Sequence, residues 1–263
     1  MSTNAALHVA RTGLDAQSER MRVIANNLAN VNTTGFKRDR AEFKTLGYQT
    51  MTAPGAPASG DNLYAVGTAL GSGVQMTGTA RVNTQGALTT SDNPLDLAIE
   101  GDGFFQVKRP DGTTGYTRAG NFSLSNEGKL VTSDGMPVQP EITVPQGAQS
   151  ITIGTDGTVS ATLSGETKPT QLGKIQLASF VNPSGLQALG GNLYAETASS
   201  GAPQVGDAAI DGRGSIRQGS LEGSNVNVVE ELVDMIETQR AYEVNSKMIS
   251  ATDEMLKDAN QQL

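Results

Sequence analysis

Two ends of the chain carry a helical hydrophobic repeat, and the long middle does not. Near the N-terminus Leu7, Leu14, Met21 and Leu28 recur every seven positions, with Ala10, Ile24 and Val31 filling the seam and Gln17 as its polar exception. That spacing predicts an amphipathic helix from about Asn4 to Val31. The Asn-rich run Asn26, Asn27, Asn30 and Asn32, followed by Gly35, predicts its end. At the other terminus Val228, Met235, Tyr242, Ile249 and Leu256 repeat by seven, and Leu232 shares their face. Gln239, Ser246 and Asp253 interrupt it. Asn227 and Glu230 have the spacing of a capping box, so the second helix starts there and runs for about 30 residues, roughly 45 Å.

Between the helices the period changes. Positions 47–75 are rich in Gly, Ala, Pro, Thr and Ser with no helical repeat, which reads as an extended or loop-like arm. From about Ala80 to Glu222 short, partly alternating segments read as strands: Phe104–Val107, Gly128–Val131, Ser150–Ile153 and Lys174–Leu177. Asp111-Gly112, Asp134-Gly135, Asp156-Gly157 and Asp211-Gly212 supply turns between them. The expected fold is α+β: paired, coiled-coil-like N- and C-terminal helices joined by an extended arm to an antiparallel, Gly-rich β domain. The expected boundaries are 1–35 for the first helix, 36–79 for the arm, 80–222 for the β domain and 223–263 for the second helix. An isolated helix of this kind is marginal in water. The two ends therefore need each other, or other copies of the chain.

Composition narrows the chemistry. Aromatics make up 4 % of the 263 residues and Trp is absent, so a core rests on aliphatic side chains. The chain has no Cys, which removes disulfides, thiolate metal sites and thiol nucleophiles. With one His, His8 on the first helix, a Ser–His–Asp triad or a two-His metal site cannot be built within one chain. The acids sit in turns or on the second helix, without the aromatic platform of a sugar site. Gly101-Asp102-Gly103 lacks the continuation of a phosphate loop. No catalytic residue, cofactor or metal is expected.

A net charge of -8 argues against nucleic acid as a partner. No run of about 18 apolar residues predicts a membrane span, and the start of the chain lacks the pattern of a cleavable secretion signal. Charge is uneven along the sequence. Positions 1–44 carry seven basic and four acidic residues, whereas 228–263 carry three and eight. Opposite signs favour contacts between the two ends, within or between chains.

Three stretches carry more specific information. Ala25-Asn26-Asn27-Leu28-Ala29-Asn30, with Thr33, Gly35, Phe36 and Lys37, resembles the signature of flagellar basal-body rod and hook proteins. Gly101-Asp102-Gly103-Phe104-Phe105, then Tyr116-Thr117-Arg118-Ala119-Gly120-Asn121-Phe122, resembles that family's β core. Ser224 to Val228, Glu230-Glu231-Leu232, Met235-Ile236 and Gln239 to Glu243 resemble its C-terminal helix. Chain length, the arm, and the run Gly191 to Thr197 ending in Ser200-Gly201 are most similar to the distal-rod branch of the family. Hook and proximal-rod proteins are the alternative.

The resemblance implies a non-enzymatic subunit of a rigid, hollow helical shaft that transmits torque. Its terminal helices would pack against those of other copies through Leu7, Leu14, Met21, Ile24, Asn26, Asn27, Leu28, Asn30, Val31, Val228, Leu232, Met235, Gln239, Tyr242, Ile249 and Leu256. Gly101, Gly103, Phe104, Phe105, Tyr116, Arg118, Gly120 and Phe122 would form the family's β-core motif, in a domain that makes the outer wall. Implied partners are further copies of itself, proximal rod subunits below, hook or hook-junction subunits above, the P- and L-ring bushing around it, and the flagellar type III export apparatus. The implied location is the rod in the periplasm, with neither nucleic acid nor membrane insertion.

Overall fold

The computed structural model describes residues 2–59, 62–164 and 168–261. Helix α1 covers Ser2–Ala29 and stops where the Asn-rich run begins to turn back. The Thr33 backbone N–H donates to the Asn30 carbonyl at 3.1 Å. Gly35 follows with φ +71°, a value that an L side chain rarely adopts. Helix α2 covers Val228–Gln261. Asn227 caps it: the side-chain oxygen accepts the Val229 N–H at 3.1 Å, while the backbone oxygen accepts that of Glu231 at 3.0 Å. Glu230 and Glu231 in the first turn complement the positive end of the helix dipole.

The chain divides into two units, one of residues 1–29, 39–80 and 227–263 and the other of residues 30–38 and 81–226. The first holds α1, α2 and the arm. Where the sequence suggests an extended or loop-like arm, the structure builds a two-stranded ladder. Asp39–Thr45 pairs with Val74–Arg81, Tyr48–Thr52 runs antiparallel to Thr68–Gly71, and Pro57–Ser59 runs antiparallel to Asn62–Leu63. The base of the ribbon lies along α1, where the Thr12 hydroxyl accepts the Val74 N–H at 3.4 Å. Farther out Tyr48, Met51, Val66 and Leu70 are exposed.

The second unit is built on a seven-stranded sheet. Its order is Gln187–Gly190, Leu193–Ala195, Thr114–Thr117, Phe104–Lys108, Gln176–Ser179 and Gln204–Asp207, with Val138–Gln139 also paired to Phe104–Lys108. Every pairing in it is antiparallel. A three-stranded sheet of Ala148–Ile153, Thr158–Leu163 and Thr170–Lys174 accompanies it, as do the ladders Leu97–Glu100 with Ser215–Gln218 and Leu88–Thr90 with Ser220–Glu222. Asp111-Gly112, Asp134-Gly135, Asp156-Gly157 and Asp211-Gly212 all fall between strands.

Alternation along Phe104–Lys108 divides the interior in two. Phe105 and Val107 join Leu97, Ile99, Phe122, Ile175, Leu177 and Ile216 in the main core. Phe104 faces the other way, into a cluster with Tyr116, Phe180, Leu186 and Tyr194. Edge-to-face ring contacts hold this smaller cluster, including Phe104–Phe180 at 5.8 Å and Tyr116–Phe180 at 4.8 Å between centroids.

Candidate functional site: assembly surfaces

In the first unit α1 and α2 pack together, joined by side-chain pairs that are polar or involve Gly13. The Asn27 side chain donates to a Glu231 carboxylate oxygen at 3.2 Å, Arg20 donates to Asp234 at 3.2 Å, and Gly13 sits against the Asn245 amide. These pairs run in opposite directions along the two helices, so the helices are antiparallel. On α2 the inward column is Glu231, Thr238, Asn245 and Thr252, itself a seven-residue repeat. Ala10, Ala16 and Ile24 are the buried apolar residues of α1.

Asn27 does more than pair the helices. Its amide also donates to the Asp39 carbonyl at 2.9 Å, and its oxygen accepts the Asp39 N–H at 3.0 Å. One buried side chain thus copies a strand's hydrogen-bonding edge and fixes the first ribbon residue beside both helices.

The apolar repeat of α2 points elsewhere. Val228, Leu232 and Tyr242 are exposed, together with Val229 (70 %), Val233 (51 %), Ile236, Val244 and Met248. Met235 and Ile249 are half-buried, Gln239 is exposed, and the Leu256 side chain lies outside the described residues. On α1, Leu7, Leu14, Met21 and Leu28 are half-buried and Asn26 is exposed; beyond it Asn30 and Val31 are half-buried. Sequence reasoning followed the apolar heptads and passed over the polar one beside them. The signal was present, in Glu231, Thr238, Asn245 and Thr252 at a constant spacing of seven.

In the second unit a buried ionic cluster joins three distant stretches. Glu222 is 0 % exposed, Lys37 1 % and Arg118 4 %. The Lys37 ammonium meets Glu222 Oε1 at 2.5 Å and donates to the Thr84 carbonyl at 2.8 Å. The Gly86 N–H donates to the same oxygen at 3.0 Å, and Arg118 donates to Oε2 at 3.2 Å. Arg118 also donates to the Gly101 carbonyl at 2.7 Å. Burial pushes the Lys37 pKa down from its ordinary value, while the bond to Glu222 opposes that shift.

Nearby backbone contacts tighten the same place. The Gly35 N–H donates to the Glu222 carbonyl at 2.8 Å, and the Asn225 side chain accepts the Arg38 N–H at 2.7 Å while donating to the Val82 carbonyl at 2.9 Å. Lys37 and Arg118 belong to motifs visible in the sequence. Glu222 was missed, because nothing local distinguishes it from an ordinary strand-end acid. Among the other motif residues, Gly103 packs against Leu177 and Gly120 against the Leu97 backbone, beside the core positions of Phe104, Phe105, Tyr116 and Phe122.

The remaining chemistry is sparse. His8 is exposed with Nδ1 3.2 Å from the Ser72 carbonyl. Among the described residues no three His, Cys, Asp or Glu side chains gather to hold a metal ion, and no helix is long and apolar enough to cross a membrane.

Family models match three stretches of the chain. They are the flagella basal body rod protein at residues 7–37, the flagellar hook protein FlgE/F/G D1 domain at 98–161, and the flagellar basal body rod FlgEFG protein C-terminal region at 217–262. The flagellar basal-body rod protein FlgG of Buchnera aphidicola subsp. Acyrthosiphon pisum is 50 % identical over 97 % of this chain and 98 % of its own. The chain belongs to the flagellar basal-body rod protein family.

Within this rod-protein family the likeness is uneven. The FlgG of Caulobacter vibrioides is 48 % identical over 97 % of this chain and 98 % of its own. The FlgF protein of the same bacterium is 37 % identical over 92 % and 90 %. The three matched stretches also contribute one residue each to the buried cluster: Lys37 from the first, Arg118 from the second and Glu222 from the third.

Proposed function

We propose that this chain is a structural subunit of the flagellar distal rod, polymerising into a rigid, hollow helical drive shaft that carries torque to the hook, and that it catalyses no reaction. The observation that carries this reading is the apolar side of α2, left exposed in the single chain because the helix pair closes through polar and small residues instead. Each aliphatic side chain there gains about 1.5–3 kcal/mol on full burial, and a partner is required to bury it. Membership of the rod-protein family and the higher identity to FlgG than to FlgF support other axial subunits as that partner.

In this reading the interface comprises the outward residues of α2, the half-buried Leu7, Leu14, Met21 and Leu28 of α1, and the exposed side chains of the ribbon. Copies of the chain are its main neighbours. Proximal rod subunits lie below, hook or hook-junction subunits above, and the P- and L-ring bushing around. The subunit reaches the periplasmic part of the basal body through the flagellar type III export apparatus.

Leu232→Asp tests the proposal, since a carboxylate on this face must be desolvated or must break the contact. Sedimentation and electron microscopy of the purified variant are expected to show monomers whose strand signal in circular dichroism equals that of the parent. Filaments formed as readily as by the parent protein would sink the assignment.

A further inference from the structure

We propose that the polar seam between α1 and α2 fixes the register of the helix pair and holds it only weakly. The inference concerns the pairing of helices within one chain and stands whether or not that chain builds a shaft.

The seam is made of matched partners. Glu231 is buried and takes a hydrogen bond from Asn27, Asp234 takes one from Arg20, and Gly13 leaves the room that the Asn245 amide fills. A slide by one seven-residue repeat carries Glu231 about 10 Å along the axis, away from Asn27. It also brings a different side chain over Gly13. The Asn27–Glu231 and Arg20–Asp234 hydrogen bonds are both lost in such a slide, so each displaced register is penalised. An aliphatic seam carries no such penalty, because one leucine packs much like the next. A single buried amide is known to select register in paired helices in this manner, with a loss of stability.

The same seam is poor at holding the helices together. The Gln17 side-chain oxygen is buried with no hydrogen-bond donor. The Thr238 hydroxyl, buried on the facing helix, donates to the Asp234 carbonyl of its own helix at 2.6 Å. Leu232, Val233 and Ile236 of α2, which could strengthen the pair, are exposed instead. Specificity is bought here with strength.

Absence of Cys from the chain makes register directly measurable. The full-length double variant Gly13→Cys/Asn245→Cys reports the observed register, and Gly13→Cys/Thr252→Cys reports a slide of one repeat. Under mild oxidation the first pair is expected to form a disulfide in the monomer and the second to form none. Both are then built into a chain carrying Gln17→Leu, Glu231→Leu and Thr238→Leu. There the helical unfolding midpoint in urea is expected to rise, and the slid pair to cross-link in yield comparable with the native pair. The inference is overturned if the slid pair stays uncross-linked in the leucine background, since something other than the polar seam then sets the register. It is equally overturned if the leucine seam lowers the midpoint.

Discussion

Lys37 and Glu222, 185 residues apart in sequence, share a buried ion pair at 2.5 Å that Arg118 completes from a third stretch. Glu222 accepts from both cations and from the Gly86 N–H, so its charge is met on every side that hydrogen bonds report. Removing one member of such a set leaves an uncompensated buried charge, at about 3–5 kcal/mol. Glu222→Ala strands two cations and is expected to lose that much from the urea unfolding free energy of the β unit. Lys37→Met leaves Glu222 still paired to Arg118 and is expected to lose less. Equal losses from the two variants would contradict the shared-charge arrangement.

Tyr116 gives the β unit a distinct alkaline response. Burial, followed by the nearby Glu196 carboxylate, pushes its pKa up to about 12 from the usual 10. Between those values the unfolded chain has lost the phenolic proton and the folded chain keeps it, so stability falls as pH rises. Lys37 acts in the opposite sense below its ordinary value of 10.5: its lowered pKa makes the unfolded state the better proton binder, and stability rises with pH there. Tyrosinate absorbance of the native protein is expected to show a late-titrating phenol that Tyr116→Phe removes. The same substitution is expected to reduce the fall in stability between pH 10 and 12.

Gly120 cannot be enlarged. A methyl group there would lie 1.6 Å from the Leu97 carbonyl oxygen, in the main chain of a fully buried strand. The Gly120 carbonyl accepts the Leu97 N–H at 2.9 Å, so separating the two segments also breaks that bond. Gly120→Ala is expected to destabilise the β unit by about 3 kcal/mol or more, beyond ordinary overpacking. Thermal unfolding followed by near-ultraviolet circular dichroism, which reports the Phe and Tyr packing around it, provides the check.

Asn27→Ala strips the buried Glu231 carboxylate of one donor and both backbone groups of Asp39 of their partner. Each hydrogen bond lost contributes about 0.5–1.5 kcal/mol, and more where it reaches a charged group, so a loss of about 3 kcal/mol is expected from the helical signal in thermal unfolding. Asn27→Asp keeps the shape but sets a carboxylate against Glu231. Its loss is expected to shrink as pH falls through the carboxylate range, and by more than that of Asn27→Ala.

Much of this architecture is legible in the residue pattern. The helices at both ends, Asn227 as a cap and the alternating Phe104–Val107 segment all act through neighbours in sequence, and all fall where the pattern puts them. The arm was unreadable as paired strands for a physical reason. Tyr48–Thr52 and Thr68–Gly71 are exposed on both faces, so no alternation of apolar and polar residues marks them. The inward side of α2 was hidden differently, because Glu231, Thr238 and Asn245 are ordinary surface residues by type and become seam residues only through a facing helix. Glu222 needed its partner at Lys37 to acquire meaning at all.

That partnership also sets where a mechanical load travels. The chain first crosses the β unit at residues 30–38, leaves it for the ribbon and returns over residues 81–226, and Gly35, Lys37 and Arg38 are bonded there to Glu222 and Asn225. A pull applied to residues 30–38 against residue 226 therefore loads these few bonds together before it reaches any strand of the seven-stranded sheet. The clamp acts as a mechanical short circuit, and the sheets behind it remain unloaded until the clamp gives way.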